Sequence, residues 1–234
     1  MSEGLNCCLC SQILGDPSND LIAEILGYAT YKRTVLAESD RFVVFPSLGA
    51  IALGHVLLCP KEHTPSIANM TDSDLRELDV MSSRLANVLS EVLDIPVHRF
   101  EHGMARGSKR IICSVGHAHL HLLPSSVISS HFLLESSWSE VRGGIVGLAD
   151  ITRDSEYLLY VEPNGRTWVQ LGVEGSFESQ ALRKVFATAH GITTAWDWKK
   201  HPRPGLVMET IELLDRVAGR IDGSNAYGRV LIRS

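Results

Sequence analysis

No stretch of this 234-residue chain approaches the apolar length of a membrane span. There is no basic block, and the formal charge is −5, so the electrostatic footprint of general nucleic-acid binding is missing. A small anionic ligand remains compatible with that balance, because a few local donors suffice for a phosphate. The first residues, Met1-Ser2-Glu3-Gly4-Leu5-Asn6, lack the basic-then-apolar pattern of a signal peptide. No internal repeat is present. Cysteine is scarce and odd in number: five, of which Cys7, Cys8 and Cys10 crowd together while Cys59 and Cys113 stand alone. That is not a disulfide framework, so reduced thiols in a cytoplasm are the expectation.

What is present is an ordered run of histidine. In His117-Ala118-His119-Leu120-His121-Leu122-Leu123-Pro124, imidazoles alternate with apolar residues. Alternation is the period of a strand, which turns residues i, i+2 and i+4 to one face. Ala118, Leu120 and Leu122 would enter a core. Half-buried polar rings are costly unless each finds a partner, so three on one face point to a site. A single strand histidine is usually a satisfied or exposed residue; three in strict alternation are hard to explain by packing.

Along the chain, Cys7-x-x-Cys10 reads as a loop able to present two thiolates to one ion, with a redox pair or coincidence as the competing explanations. Residues 19–29 suit a short helix. Residues 30–37 and 41–45 suit a hairpin, and Gly54 to Cys59 a further strand that Pro60 should end, leaving His63 on a loop. Thr71 is a good N-cap, with Asp72 and Asp74 in the first turn and Leu75, Leu78, Met81, Leu85, Val88, Leu89 and Val92 at helical spacing. Ile95 to Glu101 reads as a strand, Met104 to Lys109 as a loop, and Ile111 to Ser114 as the lead into the histidine strand. Hairpin strands with a helix on one face make an α+β layer fold.

Beyond Pro124 the character changes. Ser125 to Gly144 is serine-rich and reads as a long loop anchored by Trp138. A hairpin is expected over 157–161 and 167–173, across the turn Glu162-Pro163-Asn164-Gly165-Arg166. A helix over 179–190 should turn Leu182, Val185, Phe186 and Ala189 inward. Pro202 and Pro204 should break the chain before a last amphipathic helix over 208–221. Two units are expected: residues 1–125 as a catalytic domain with an N-terminal metal loop, and 126–234 as an extension, a hairpin plus two helices, packed on it.

Four candidate ligands line up: Cys7, Cys10, His63 and His117. Two thiolates and two imidazoles form a Cys₂His₂ set from three separate segments. With no open position, the ion would be structural zinc.

The histidine run resembles the signature of the histidine triad (HIT) superfamily, in which three histidines alternate with apolar residues. Gly54-His55-Val56-Leu57-Leu58, Pro60-Lys61-Glu62-His63 and Cys7-x-x-Cys10 resemble landmarks of that family in the same order, over roughly residues 5 to 125. The resemblance implies an α+β fold with a central antiparallel sheet. It also implies nucleotide hydrolase or nucleotidyltransferase chemistry on phosphoanhydride, phosphoramidate or phosphoester bonds, and zinc on a set like the one above.

By the same resemblance His119 is the nucleophile, attacking an α-phosphorus to give a nucleotidyl-histidine, its tautomer held by a backbone carbonyl of the triad segment. His121 is a phosphate or bridging-oxygen contact, His117 the first triad member, and Ser114 a phosphate contact. Departures bear on the nucleoside. Ser47 falls where many members carry a ribose-binding acid, Cys113 where glutamine is common, and Glu101 near a usual asparagine. Serine can bond one hydroxyl but is no charged bidentate acceptor. The expected partner is a small nucleotide or nucleotide conjugate, with neither general nucleic acid nor membrane, and a homodimer is compatible with this. Hydrolysis is expected. A phosphorylase or transferase sharing the first step, and a non-catalytic zinc-stabilised nucleotide-binding module, are the alternatives. A catalytic metal on the triad itself would leave Cys7, Cys10 and His63 unexplained.

Overall fold

The structure, a computed structural model, describes residues 7–16, 20–27, 35–105, 116–128, 132–133, 137–152 and 155–221. Its centre is an eight-stranded antiparallel sheet: β1 (Ala37–Glu38), β2 (Phe42–Pro46), β3 (Val56–Pro60), β4 (Val97–Gly103), β5 (Leu120–Pro124), β6 (Ser139–Glu140), β7 (Glu156–Val161) and β8 (Thr167–Gly172). The strand order is β1-β2-β3-β5-β4-β7-β8-β6. The helices are α1 (Cys8–Leu14), α2 (Leu21–Leu26), α3 (Asp72–Leu93), α4 (Leu148–Thr152), α5 (Ala181–Ala189) and α6 (Pro204–Ile221). This is the expected mixed fold, with an antiparallel sheet and a long central helix. No helix among the described residues is long and apolar enough to cross a membrane.

The long helix begins where its chemistry requires. The Thr71 hydroxyl accepts from the Asp74 N–H, with Asp72 and Asp74 beside the helix N-terminus. Its apolar stripe, Leu75, Leu78, Leu85 and Leu89, is buried in one core with Leu120 and Leu122 of β5 and with Val207, Ile211 and Leu214 of α6. The opposite face of the sheet carries a second core. There Phe100, Leu123, Leu158 and Tyr160 meet Leu182, Phe186 and Ala187 of α5. Within β4 the alternation is visible in single residues: Arg99 donates to Ser82 and Ser83 of α3, while Phe100 faces α5.

The extension does not merely lean on the first half. Its hairpin, β7 with β8, joins the sheet through β4, with Arg99 opposite Val161 and Gly103 opposite Tyr157.

Several local expectations change. Cys7-x-x-Cys10 opens a helix, with Cys7 as the N-cap of α1. In α5, Val185 is 42 % exposed and Arg183 is buried at 4 %, the reverse of the apolar reading, because the guanidinium is received by Ser47 and Gly49 in the turn after β2. Pro204 begins α6 instead of breaking the chain before it, the position where a missing N–H costs nothing. Only His121 of the three histidines lies in a strand. Leu58 pairs with Leu120, so two residues further the ladder would set Pro60 against Ala118, and proline has no N–H to continue it. The Ala118 N–H bonds the Thr64 carbonyl instead, at 2.7 Å. Residues 30–34 of the first expected strand and the lead-in over 111–114 lie outside the described residues.

Candidate active site and metal cluster

Cys7 and Cys10 are three residues apart at the start of α1, a spacing that puts both sulfurs on one helix face. That face meets the segment after β3 and the first triad histidine. Cys10 Sγ lies 3.3 Å from His63 Nδ1 and 3.4 Å from His117 Nδ1, and Cys7 Sγ lies 3.6 Å from His117 Nδ1. The four donor atoms fall within 4.8 Å of one another. His117 Nε2 is 2.8 Å from the Pro60 carbonyl, so that nitrogen carries the proton and donates, leaving the Nδ1 lone pair turned to the sulfurs. An outer hydrogen bond of this kind fixes the tautomer a metal ligand needs. Burial holds the His117 imidazole down at about 4, against the pull of its Pro60 bond. Burial, with Cys7 adding to it, pushes the Cys10 thiol up to about 12. The donor set, its tetrahedral count and its soft sulfurs are compatible with zinc.

The second triad histidine faces the other way along the same segment. His119 Nδ1 lies 2.7 Å from the His117 carbonyl. That carbonyl can only accept, so His119 carries its proton on Nδ1 and keeps the Nε2 lone pair bare. Burial lowers its pKa below the ordinary imidazole value, partly offset by this hydrogen bond. His119 is therefore neutral at neutral pH.

The third histidine has its tautomer set by a relay. The Ile51 N–H donates to His55 Nδ1 at 3.1 Å, so the His55 proton sits on Nε2. That Nε2 is 3.0 Å from His121 Nδ1, which must accept, and His121 is thereby left protonated on its own Nε2. Phe100 stacks on the His121 ring at 4.4 Å and 9°. Burial first, and then the neighbouring imidazoles and Arg183, push His121 well below its ordinary value. The two rings, 5.0 Å apart between centroids, thus offer opposite functions: a bare acceptor on His119 and a donor on His121.

Both line a partly open cavity with about 70 Å³ of free space. Its apolar lining comes from Leu9, Leu21, Ile22, Phe45 and Leu57, and Gln180, Arg183 and Trp198 of the C-terminal half line it as well. Ser47 lines the cavity and is buried at 1 %. Glu101 does not line it. Its carboxyl is buried beneath the sheet and accepts from the Ile67 N–H and the Tyr157 hydroxyl, because β4 turns Phe100 and His102 to the cavity and Glu101 away. Ser114 and Cys113 lie outside the described residues. The sequence offered His55 as a landmark without a role, and Arg183 within residues 179–184, a stretch able to reach over the site or to be a packed accessory helix. A basic residue at i+3 from Gln180 in an otherwise apolar face was the available signal.

The strand end thus presents two imidazoles of opposite tautomer to one cavity. Residues 29–127 match the family model for the HIT domain. Similar solved structures include a HIT family member from Bacillus subtilis, at 19 % identity and TM-score 0.38, covering 51 % of this chain and 72 % of that one. A HIT family hydrolase from Clostridium thermocellum is 23 % identical at TM-score 0.36, over 53 % and 95 %. A zinc-bound histidine triad family protein from Mycobacterium smegmatis is 18 % identical at TM-score 0.37, over 52 % and 76 %. No curated protein matches the chain.

Proposed function

We propose that the chain is a nucleotide hydrolase that cleaves a phosphoanhydride, phosphoramidate or related bond at the α-phosphorus through a covalent nucleotidyl-histidine. The observation that carries the reading is the His119 Nδ1–H bond to the His117 carbonyl, 2.7 Å long, which leaves Nε2 as a neutral nucleophile opening on the cavity. His119 Nε2 forms the N–P bond as the bond to the leaving group breaks. The His121 Nε2–H, supplied by the relay from His55, bonds the departing oxygen or nitrogen. Water then attacks the adduct, returning His119 and releasing the nucleoside monophosphate. A phosphate or other acceptor in place of water would make the same first step a phosphorylase or transferase reaction.

Cys7, Cys10, His63 and His117 would hold a zinc ion. Its contribution is structural: it ties α1 to the end of β3 and to the residue whose carbonyl orients His119. The apolar lining supports a base, and the triad a phosphoryl group. Ser114, where the family resemblance puts a phosphate contact, belongs to this proposal on that ground alone.

The test is single-turnover reaction with a panel of dinucleoside polyphosphates, nucleoside phosphoramidates and nucleotide sugars, with intact-mass detection of the adduct. Wild type should gain one nucleotidyl group, and His119→Ala should lose both the adduct and turnover by at least about 1,000-fold while keeping its unfolding temperature. Tight nucleotide binding with no adduct and no product would favour a non-catalytic binding module.

A further inference from the structure

The cavity contains one side chain of full and permanent charge, and it comes from outside the HIT segment. Arg183, in the first turn of α5, is 4 % exposed. Its Nη2 donates to the Gly49 carbonyl at 2.7 Å, its Nη1 to Ser47 Oγ at 3.2 Å and its Nε to the Trp196 carbonyl at 3.4 Å. All three acceptors are neutral. None of the described residues lining the cavity is acidic, and no described carboxylate is within ion-pair distance of Arg183. Asp197 acts on it only from farther away, its own carboxylate taken by the Lys199 N–H and the Lys200 ammonium. Burying a guanidinium without a counter-charge is strongly unfavourable. Two of its five N–H groups remain beyond the three bonds named.

A neighbouring residue carries an independent sign of the same kind. Gln180, one turn earlier, lines the cavity with its Oε1 buried and without a hydrogen-bond partner. Its backbone sits at φ 60°, a conformation uncommon outside glycine and concentrated at ligand sites. A buried acceptor without a donor and a buried cation without an anion line one cavity, a pairing suited to an anionic molecule that also carries a hydrogen-bond donor.

We propose that the first turn of α5 is a nucleotide-recognition element in which Arg183 binds a phosphate oxygen of the substrate beside His119 and Gln180 Oε1 accepts from a hydroxyl or N–H of the same molecule. This deepens the reading above and rests on it for the identity of the ligand as a nucleotide. It also gives Ser47 a part, since its hydroxyl accepts from Arg183 and helps aim the guanidinium. The guanidinium fork suits two phosphate oxygens at once. The phosphate is either the 5′-phosphoryl group that His119 attacks or a second phosphate on the sugar.

The experiment is calorimetric titration of the full chain with nucleoside 5′-monophosphates, 3′-monophosphates and the parent nucleosides, for wild type, Arg183→Gln and Arg183→Lys. The glutamine variant should lose about 10- to 100-fold in affinity for the phosphorylated ligand and stay within about twofold for the nucleoside. Selective loss for the 5′-phosphate assigns Arg183 to the reacting group; selective loss for the 3′-phosphate assigns it to the sugar. Should the glutamine variant fail to fold, Arg183→Lys decides. It keeps the charge but cannot reach Ser47, Gly49 and a phosphate together, and should lose about 3- to 10-fold for that ligand. Equal weakening of nucleoside and nucleotide, no change in either, or no binding of any of them by wild type overturns the proposal. The catalytic reading fails separately: a missing His119 adduct with phosphate discrimination still dependent on Arg183 leaves this inference standing.

Discussion

Glu101 and the buried histidines respond to pH in opposite senses. Burial pushes the Glu101 carboxyl up to about 8, against the bonds from Tyr157 and Ile67 that favour its charge. Between its unfolded value, about 4.5, and about 8, the folded protein holds a proton the unfolded chain has lost, so this contribution to stability declines as pH rises, by about 1.4 kcal/mol per unit. His55 and His121 are held well below 6.5 by burial. Below that value the unfolded chain binds the extra protons, and their contribution falls as pH falls. Two histidines outweigh one carboxyl under acid, so thermal stability should peak near pH 6.5 and decline by about 2 kcal/mol towards pH 8. Glu101→Gln, an isostere of the protonated acid that still accepts from the Ile67 N–H, should flatten the alkaline side. Melting curves at pH 6.5 and 8 check this; a wild-type decline retained in the variant would show that another group causes it.

At the scale of elements, α1 has an importance its seven residues do not suggest. Cys8, Leu9 and Gln12 line the cavity, while Cys7 and Cys10 point to the ligand cluster. A helix this short is marginal by itself, so its place against the sheet depends on those anchors. We expect wild type to carry stoichiometric zinc by elemental analysis. Cys10→Ser should carry much less, unfold about 5 °C or more lower, and bind nucleotide more weakly as the cavity wall loosens. Equal zinc in both proteins would remove Cys10 from the ligand set. Gly49 illustrates the same dependence of element on element. It sits at φ +62°, and a Cβ there would stand 2.7 Å from the Trp198 backbone, so the turn after β2 and the Trp198 segment close one cavity wall together.

For the whole molecule, the sheet makes the two halves interdependent. Removing everything after Ser125 would take away β7, which covers five consecutive residues of β4, Arg99 to Gly103. It would also uncover Phe100 and Leu123, now packed under α5. An unpaired strand edge beside newly exposed apolar side chains is an aggregation template. The truncated chain is therefore expected to run as aggregate in size-exclusion chromatography while the full chain elutes as a discrete species. A monodisperse, folded 1–125 fragment would show that the first half stands alone.

Much of this was legible in the chain itself. Local chemistry marked the long helix, from its Thr71 cap to its apolar stripe. It marked the 157–172 hairpin from its Pro-Asn-Gly turn, and the four metal donors and the triad from residue type and spacing. What spacing could not decide was direction. Alternation made the three histidines equivalent, and the proline opposite Ala118 broke that equivalence by ending the ladder. Helical periodicity weighed Val185 above Arg183, yet a guanidinium can be buried where backbone carbonyls from a distant turn receive it. Glu101 was a polar residue near a triad until β4 turned it to the far face. Those outcomes depend on partners more than 30 residues away, and only the assembled sheet brings Ser47 and Gly49 to Arg183, Ile67 to Glu101, and Pro60 to His117.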